Sequence, residues 1–534
     1  MKTIMILGAG IMQLPGIRIA RRNGWRVVVV DGNPAALGRG LGDIFEVVDL
    51  KDRDGLCALA RRLRADGGLD GVFTAGTDFS SSVAWVAEKL GLPGLSFATA
   101  MKATDKCLMR EALAAAGVPS PRFACWSGQG DPLSLVRGEL GFPMVVKPVD
   151  NMGARGVRRV DDAAALSEAS LAALPLSRTR KVILEQFMEG RELSLDAVVY
   201  KGRVAVCGVA DRHISFPPAF VEMGHTMPTE LDPATVRRIE DVFRSGIAAL
   251  GIDNGAAKGD MILTPGGPMV GEIAARLSGG YMSGWTYPLA SGVEVTAAAM
   301  NIAVGLPPGD LEPRWHRTCA ERALISIPGI VAGVHGEGEA RAIPGVEEVY
   351  LRVGEGDEVV FPTNNVQKCG NVIAVAEERE EAIRRAGAAL SLMIVRLKPL
   401  VDRTTRFLFR AGAGEKAFDA SRDAGLEAAA AALPAFRGDP TRLNPDGAIP
   451  VITLRELETS PALDWYGTTL SQAARAALRI GNGTLVAASG GGPALGSLFW
   501  RALVRGGAQG GVYLLDSVRL AARSATLPEV LARL

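Results

Sequence analysis

A multidomain α/β protein is predicted, and three observations carry the prediction. The first hundred residues alternate strand-like and helix-like patterns, and a strand-rich stretch with a glycine turn fills the middle. At 534 residues the chain also exceeds what one core accommodates, so roughly two to four domains are expected.

The elements follow in order. "TIMILGAG" reads as a buried strand ending in glycine, followed by a helix through "PGIRIARRNG". Then come the strand "RVVVVDGNP", the helix "RDGLCALARRLRADG", the strand "GVFTAG" and the helix "SSVAWVAEKLG", the pattern of a doubly wound parallel sheet. A helical link, "TDKCLMREALAAAGVPSP", leads to the strands "FPMVVKPVD", "KVILEQFM", "ELSLDAVVYKG" and "VAVCGVADRH". "ADRHISFPPAFVEMGHTMP" reads as a polar, proline-bounded loop before the helix "ATVRRIEDVFRSGIAALG". A hairpin follows, and then a β-rich module containing "AERALISIPG", "VEEVYLRVGEGDEVV" and "GNVIAVAE", closed by the helix "EEREEAIRRAGAALSLM". From about residue 411 the chain is Ala-, Gly- and Arg-rich, with no assignable role and no internal repeat.

A near-neutral charge (59 Lys and Arg, 58 Asp and Glu) and 48% hydrophobic content describe a soluble globular protein. They disfavour a sequence-independent nucleic-acid binder, and the 5% aromatic content disfavours a base-stacking surface. Six cysteines stand far apart with no CxxC pair, which argues against a zinc site or a disulfide framework and fits a reduced cytosol. The apolar start is broken by Gly10, Gln13, Pro15 and Gly16, so it reads as a strand and turn, not a signal peptide. No segment reaches transmembrane length.

"AKGDMILTPGGPMVGEIAAR" reads as a β-hairpin with the turn signal "TPGG". With Pro265, Gly266 and Gly267 as the loop, Thr264 pairs with Pro268 and Asp260 falls opposite Glu272. Like charges directly opposite are destabilising unless a cation lies between them, and a hard divalent ion suits two carboxylates. Strand alternation puts Arg276 on the face of Glu272, where its guanidinium can grip a phosphoryl or carboxylate group. The alternative is a solvated hairpin with ordinary surface acids.

Further cations and acids recur nearby. Lys147 ends an apolar strand before a loop with Gly153, Arg155 and Gly156, a sensible phosphate clamp. Lys106 begins a helix with Thr104 or Asp105 as its N-cap, the less favourable end for a cation, which hints at an external anion. Glu185 and Glu192 bracket a short connection whose backbone, Gln186 to Met188, could bond a nucleotide base, with Glu192 on ribose hydroxyls. Each of these taken singly also reads as an ordinary strand end or exposed acid.

In order and spacing, "TDK … VVKP … GARGV … ILEQFMEGRE … KGD … GEIAARLSGG" resembles an ATP-grasp ligase over roughly residues 1–400. The resemblance is to the group that includes carboxyaminoimidazole ribonucleotide synthetase, biotin carboxylase, the carbamoyl-phosphate synthetase large chain and L-amino acid ligases. It implies a Rossmann-like preATP-grasp domain (1–100), linker helices and a lid (101–195), an α+β catalytic part (196–310) and a β-rich part (311–410). An additional C-terminal domain (411–534) would follow.

By position, Lys106 and Lys147 would hold ATP phosphates under a closing loop, Gly153–Arg155–Gly156. Glu185, Gln186, Phe187 and Met188 would hold adenine, Glu192 ribose, and Asp260 with Glu272 magnesium or manganese. Arg276 would stabilise the acyl phosphate or its tetrahedral successor, with Lys147 also at the chemistry. Substrate contacts are expected from Thr77, Asp78, His213, Glu222, His225, Ser278 and Gly279, the glycine making room for it.

The implied reaction joins a small-molecule carboxylate and an amine through an acyl phosphate, releasing ADP and phosphate. The implied setting is a cytoplasmic homo-oligomer, a dimer first, with neither nucleic acid nor membrane as partner. One departure stands out: relatives often carry asparagine two residues after the second metal acid, and here the residue is Ala274, with Lys258 across from it. A non-catalytic ATP sensor therefore stays open. So does a nicotinamide-dependent oxidoreductase built on "GAGIMQ" and Asp31, although that loop also suits a substrate-facing role.

Overall fold

The computed structural model describes every residue except 137–139, 411–415, 419–423 and 488–490. The sequence "LVAASGGGPALGSLFWRALV" suggests a strand, a glycine turn and a helix, and that turn lies partly outside the described residues. The chain divides into two compact units. The first is Met1–Glu321 with Thr363–Asn365 and Val375–Ala382; the second is Arg322–Pro362, Val366–Ala374 and Ile383–Leu534.

The first unit opens with β1 (Thr3–Leu7), α1 (Leu14–Arg22), β2 (Arg26–Asp31), β3 (Ile44–Val47), α2 (Arg53–Ala65), β4 (Gly71–Phe73) and α3 (Ser80–Leu90). The strands form a parallel sheet in the order β3–β2–β1–β4. The runs "TIMIL" and "VVVV" are fully buried, as strands covered on both faces must be.

Two helices, α4 (Phe97–Lys102) and α5 (Lys106–Ala115), lead into β5 (Phe123–Trp126), β6 (Met144–Pro148), β7 (Arg158–Val160), α6 (Ala163–Ala173) and β8 (Val182–Gln186). These strands make an antiparallel sheet in the order β5–β8–β6–β7. Next come β9 (Arg191–Tyr200), β10 (Arg203–Ser215), β11 (Val221–Met227), α7 (Pro233–Leu250), β12 (Gly255–Thr264) and β13 (Gly267–Ala274). Within the first unit these strands run β13–β12–β9–β10–β11. Ile239, Phe243, Ile247 and Leu250 of α7 share a buried cluster with Leu193, Leu195, Met261 and Ile273 from one face of this sheet. Gly259 lets Phe243 in: a Cβ there would stand 2.5 Å from the ring.

Two expectations are corrected. The stretch expected to be a loop after Asp211 is a hairpin, with Arg212 paired to His225 and His213 to Gly224. Its polar residues suggested solvent, but they are one another's partners across the ladder. The cysteine spacing argued against disulfides, yet Cys107 on α5 and Cys125 on β5 are bonded, with Cα atoms 6.3 Å apart. A helix and a returning strand bring together two cysteines that the linear spacing leaves unrelated.

In the second unit, Gly329–His335 pairs with Ile394–Leu397, and residues 346–351 pair with 370–374. A small sheet is built from Phe436–Arg437, Ala494–Leu495, Ile449–Thr453 and Gly483–Ala487, in that order. One hydrophobic core runs from Leu324 through Val395 and Phe418 to Trp500 and Leu527, so residues on both sides of position 411 share it.

Candidate active site

The β12–β13 hairpin reaches the expected pairing by a different route. Its turn holds two residues, so Thr264 pairs with Gly267 and Leu263 with Pro268. A bulge between Asp260 and Met261 then shifts the register, and Asp260 pairs with Glu272 and Lys258 with Ala274. Gly271, the extra residue on β13, lies hard against the Asp260 carbonyl, where a Cβ would be 2.9 Å from the oxygen.

Cations surround both acids. Lys106 is the first residue of α5, whose N-cap is Asp105, accepting from the Cys107 and Leu108 N–H groups. Its Nζ donates to the Asn151 carbonyl at 3.0 Å and lies 3.4 Å from Glu272. Lys258 bonds Asp260, and Arg212 lies 3.2 Å from the same carboxylate. Burial works against ionisation of Glu272, but Lys106, Lys258, Lys147 and Arg276 overcome it and bring its pKa to about 2.

Lys147, near the end of β6, lies 2.6 Å from Glu185 on β8. Arg110, one turn along α5 from Lys106, donates from Nε to the same carboxylate at 2.7 Å and from Nη2 to the Gly271 carbonyl at 2.5 Å. The Glu185 side chain, expected at adenine, is thus closed off and anchors the two cations. Gln186 accepts from Arg122 Nε at 3.2 Å, and the Arg159 guanidinium lies over the Phe187 ring at 4.6 Å. Met188 follows in the connection to β9, where Glu192 lies 3.2 Å from Arg212. Burial raises the Glu192 pKa against the pull of Arg212.

The loop after β6 turns through left-handed backbone at Gly153, Ala154 and Gly156. Asp78 receives two arginines from this region, Arg155 at 3.6 Å and Arg178 at 3.1 Å. Thr77 shares a hydroxyl contact with Thr74 at 2.8 Å.

Beyond β13, Arg276 donates to the Leu277 carbonyl. The next residues are held from behind. Asp196 accepts from the Ser278 N–H at 2.9 Å and from its hydroxyl, and Gly279 packs on Gly76, whose Cβ would meet the Gly279 Cα at 2.9 Å. The Ser278 hydroxyl and the small size of Gly279 therefore serve the loop's own packing, in place of the expected substrate contact. His225 is fully buried, 3.1 Å from Glu321 and bonded to Thr286, so it is not the loop contact expected. His213 meets Thr226 across its hairpin, and Glu222 meets Arg212 at 2.7 Å.

Arg110, Arg212 and Asp196 do not stand out in the sequence. The signal for Arg110 is its i+4 spacing from Lys106 on a helix; for Arg212 it is an arginine on an alternating strand facing three acids.

In the β1–α1 loop Asp31 accepts from the Ala9 and Asn33 N–H groups, and buried Gln13 donates to the Ala75 carbonyl at 2.6 Å. A Cβ on Gly8 would touch the Gln13 side chain at 3.0 Å. The glycine loop is filled by the chain's own glutamine, and its acid is bound to the loop.

Among the described residues no cluster of three or more His, Cys, Asp or Glu makes a cage for a metal. Asp260 and Glu272 together fit magnesium, which takes one or two carboxylates alongside substrate phosphates. No described helix is long and apolar enough to cross a membrane.

Residues 103–280 match the ATP-grasp domain family, and residues 322–398 match the L-amino acid ligase C-terminal domain 2. The uncharacterized protein y4rH of Sinorhizobium fredii is 29% identical over 401 residues, covering 72% of this chain and 82% of that protein. Human carnosine synthase 1 is 28% identical over 333 residues; the match covers 58% of this chain but only 40% of that protein's length. Among solved structures, the L-amino acid ligase of Bacillus licheniformis aligns with a TM-score of 0.65 at 24% identity, over 74% of this chain and 99% of that one.

Proposed function

Since the chain belongs to the ATP-grasp ligases, we propose that it joins a carboxylate to an amine through an acyl phosphate, and that the carboxylate is an amino acid or a similar small metabolite. The observation that supports this best is the convergence of Lys106, Lys147, Lys258 and Arg276 on Glu272, directly opposite Asp260.

Lys106 and Lys147 would take the phosphates of ATP, with the Gly153–Gly156 turn closing over them. Main-chain groups of Gln186 to Met188 would face adenine, and Glu192 the ribose. Asp260 and Glu272 would hold magnesium, or manganese in its place, whose charge when bound offsets that of the phosphates. The substrate carboxylate oxygen attacks the γ-phosphorus and ADP departs; the amine then attacks the acyl carbon, and phosphate leaves with the bonding electrons. Positioning and charge neutralisation are the protein's work here, since phosphoryl transfer asks little covalent help. Arg276 meets the negative charge of the acyl phosphate. Glu185 keeps Lys147 in place, because a lysine left to swing would lose orientation on each cycle.

A panel of amino acids offered with ATP and magnesium should contain a pair that stimulates ADP release and yields an amide. Glu272→Ala should lower that rate at least about a hundredfold with the fold retained. Arg276→Ala should lower kcat more than ATP affinity. Wild-type turnover in the Glu272 variant defeats the metal assignment. ATP binding with no ADP release from any pair favours a sensor, the reading that Ala274 motivates.

A further inference from the structure

The second unit contains a cavity of about 660 Å³, within the size range of small-molecule sites. Its walls come from residues 383–395, the loop 464–468, one face of the helix Leu470–Gly481 and a break in the helix Ser497–Arg523. None of the active-site residues discussed above lines it.

The break is built in. Gly507 has φ 57° and ψ −154° inside an otherwise helical run, so the helix is two helices joined at a kink. A Cβ on Gly507 would meet nothing closer than 3.6 Å; its glycine answers to the left-handed backbone, not to crowding. Gln509, just past the kink, is fastened on three sides. It accepts from the Ile327 N–H at 3.0 Å and donates to Ser326 Oγ and the Val395 carbonyl, each at 2.7 Å. The wall that the kink presents is therefore fixed in place.

The charged side chains that line the cavity are Arg384, Asp464, Arg475 and Arg479. Arg475 and Arg479 stand one turn apart on the same face of their helix, and both line the cavity. Like charges at this spacing oppose each other. Among the described residues neither makes an ion pair or a hydrogen bond. Asp464 lines the cavity too; its Oδ1 accepts from the Tyr466 and Thr468 N–H groups at 2.9 Å while Oδ2 faces Gly507. Burial pushes the Asp464 carboxyl up to about 6, a shift that a bound cation would reverse. Apolar groups such as Ile383, Met393 and Trp465 line the rest of it.

We propose that this cavity binds a small zwitterion with an apolar body, an amino acid or a dipeptide, its carboxylate on Arg475 and Arg479 and its ammonium on Asp464. The two arginines supply forked donors that fit a carboxylate, and the acid in the same cavity selects an ammonium-bearing ligand over a plain anion. The reading uses only the second unit and stands apart from the ligase chemistry proposed above.

Calorimetric titration of the full chain with L-leucyl-L-leucine, L-leucine and N-acetyl-L-leucyl-L-leucine tests it. Saturable binding of one of the two zwitterions is expected, and the tighter of them identifies the source. The double variant Arg475→Ala/Arg479→Ala, altered on exposed side chains, should bind at least about tenfold more weakly. Asp464→Asn keeps the Oδ1 that accepts from both local N–H groups; it should lose affinity for the zwitterion and show no further loss when the N-acetyl peptide is used. Arg276→Ala should bind as the wild type does. No saturable binding of either zwitterion overturns the proposal. So does binding that survives the double arginine change, or binding that disappears in Arg276→Ala, which would put the ligand in the ligase site.

Discussion

Glu185, at the end of β8, and Asp196, in the middle of β9, are both carboxylates almost wholly removed from solvent, and they are held in opposite ways. Burial alone would keep either one protonated. At Glu185 the Arg110 guanidinium and the Lys147 ammonium outweigh burial and bring the pKa down to about 2. At Asp196 burial wins, and the carboxyl is pushed up to about 6 in spite of two hydrogen bonds from Ser278. The difference teaches what each region is for. Around Glu185 the chain fixes a permanent negative charge that orients two cations. Around Asp196 it ties down a loop with neutral donors, and a full charge is a burden.

The largest expected effect comes from breaking the first arrangement. Arg110→Ala leaves Glu185 buried with one partner and strips the Gly271 carbonyl of its donor. Removing one partner of a buried pair destabilises by about 3–5 kcal/mol. Urea unfolding of the first unit should show a loss of that size. A loss below about 1 kcal/mol would mean that Lys147 alone satisfies Glu185.

The pH dependence should separate the two carboxylates more cleanly, because their signs are opposite. Glu185, depressed from 4.5 to about 2, contributes stability that is present above pH 4.5 and lost as pH falls toward 2. Asp196, raised from 3.8 to about 6, binds a proton more tightly folded than unfolded, so it destabilises as pH rises from 3.8 through 6. Two pKa units correspond to about 3 kcal/mol. Relative to the wild type, Asp196→Asn should gain up to about that much above pH 6, and the gain should vanish near pH 4. Glu185→Gln should mirror it, its loss growing as pH rises from 2 to 4.5. Difference curves that stay flat across these windows would erase the contrast.

Much of this region is readable from sequence, for physical reasons that differ by element. The parallel sheet is legible because strands covered on both faces are continuously apolar, and "TIMIL" and "VVVV" are. The acid pair is legible because alternation and a turn signal confine the register. The β10–β11 hairpin hides because its charges are satisfied inside the ladder, so Arg212 with Glu222 looks in sequence like a solvated loop. Arg110 hides for a related reason, its partner Glu185 lying 75 residues away. The two-faced character of Glu185 and Asp196 is a property of neighbours, and no spacing reveals it.

Finest of all is the hairpin that pairs Asp260 with Glu272, because the turn and the bulge shift its register in compensating directions. A three-residue turn without a bulge and a two-residue turn with one extra residue on β13 both bring the acids opposite each other. The structure adopts the second, and Gly271 is its mark. Gly271→Ala places a methyl group 2.9 Å from the Asp260 carbonyl, inside any real contact, so the bulge must shift or the strands must part. The fold should lose about 1 kcal/mol, less than either carboxylate region commands. ADP release should fall further than that loss explains, since the pairing of Asp260 with Glu272 depends on the bulge. An alanine variant with wild-type stability and wild-type turnover would show that the acids hold their positions without it, and that the cations around them, not the register, set the site.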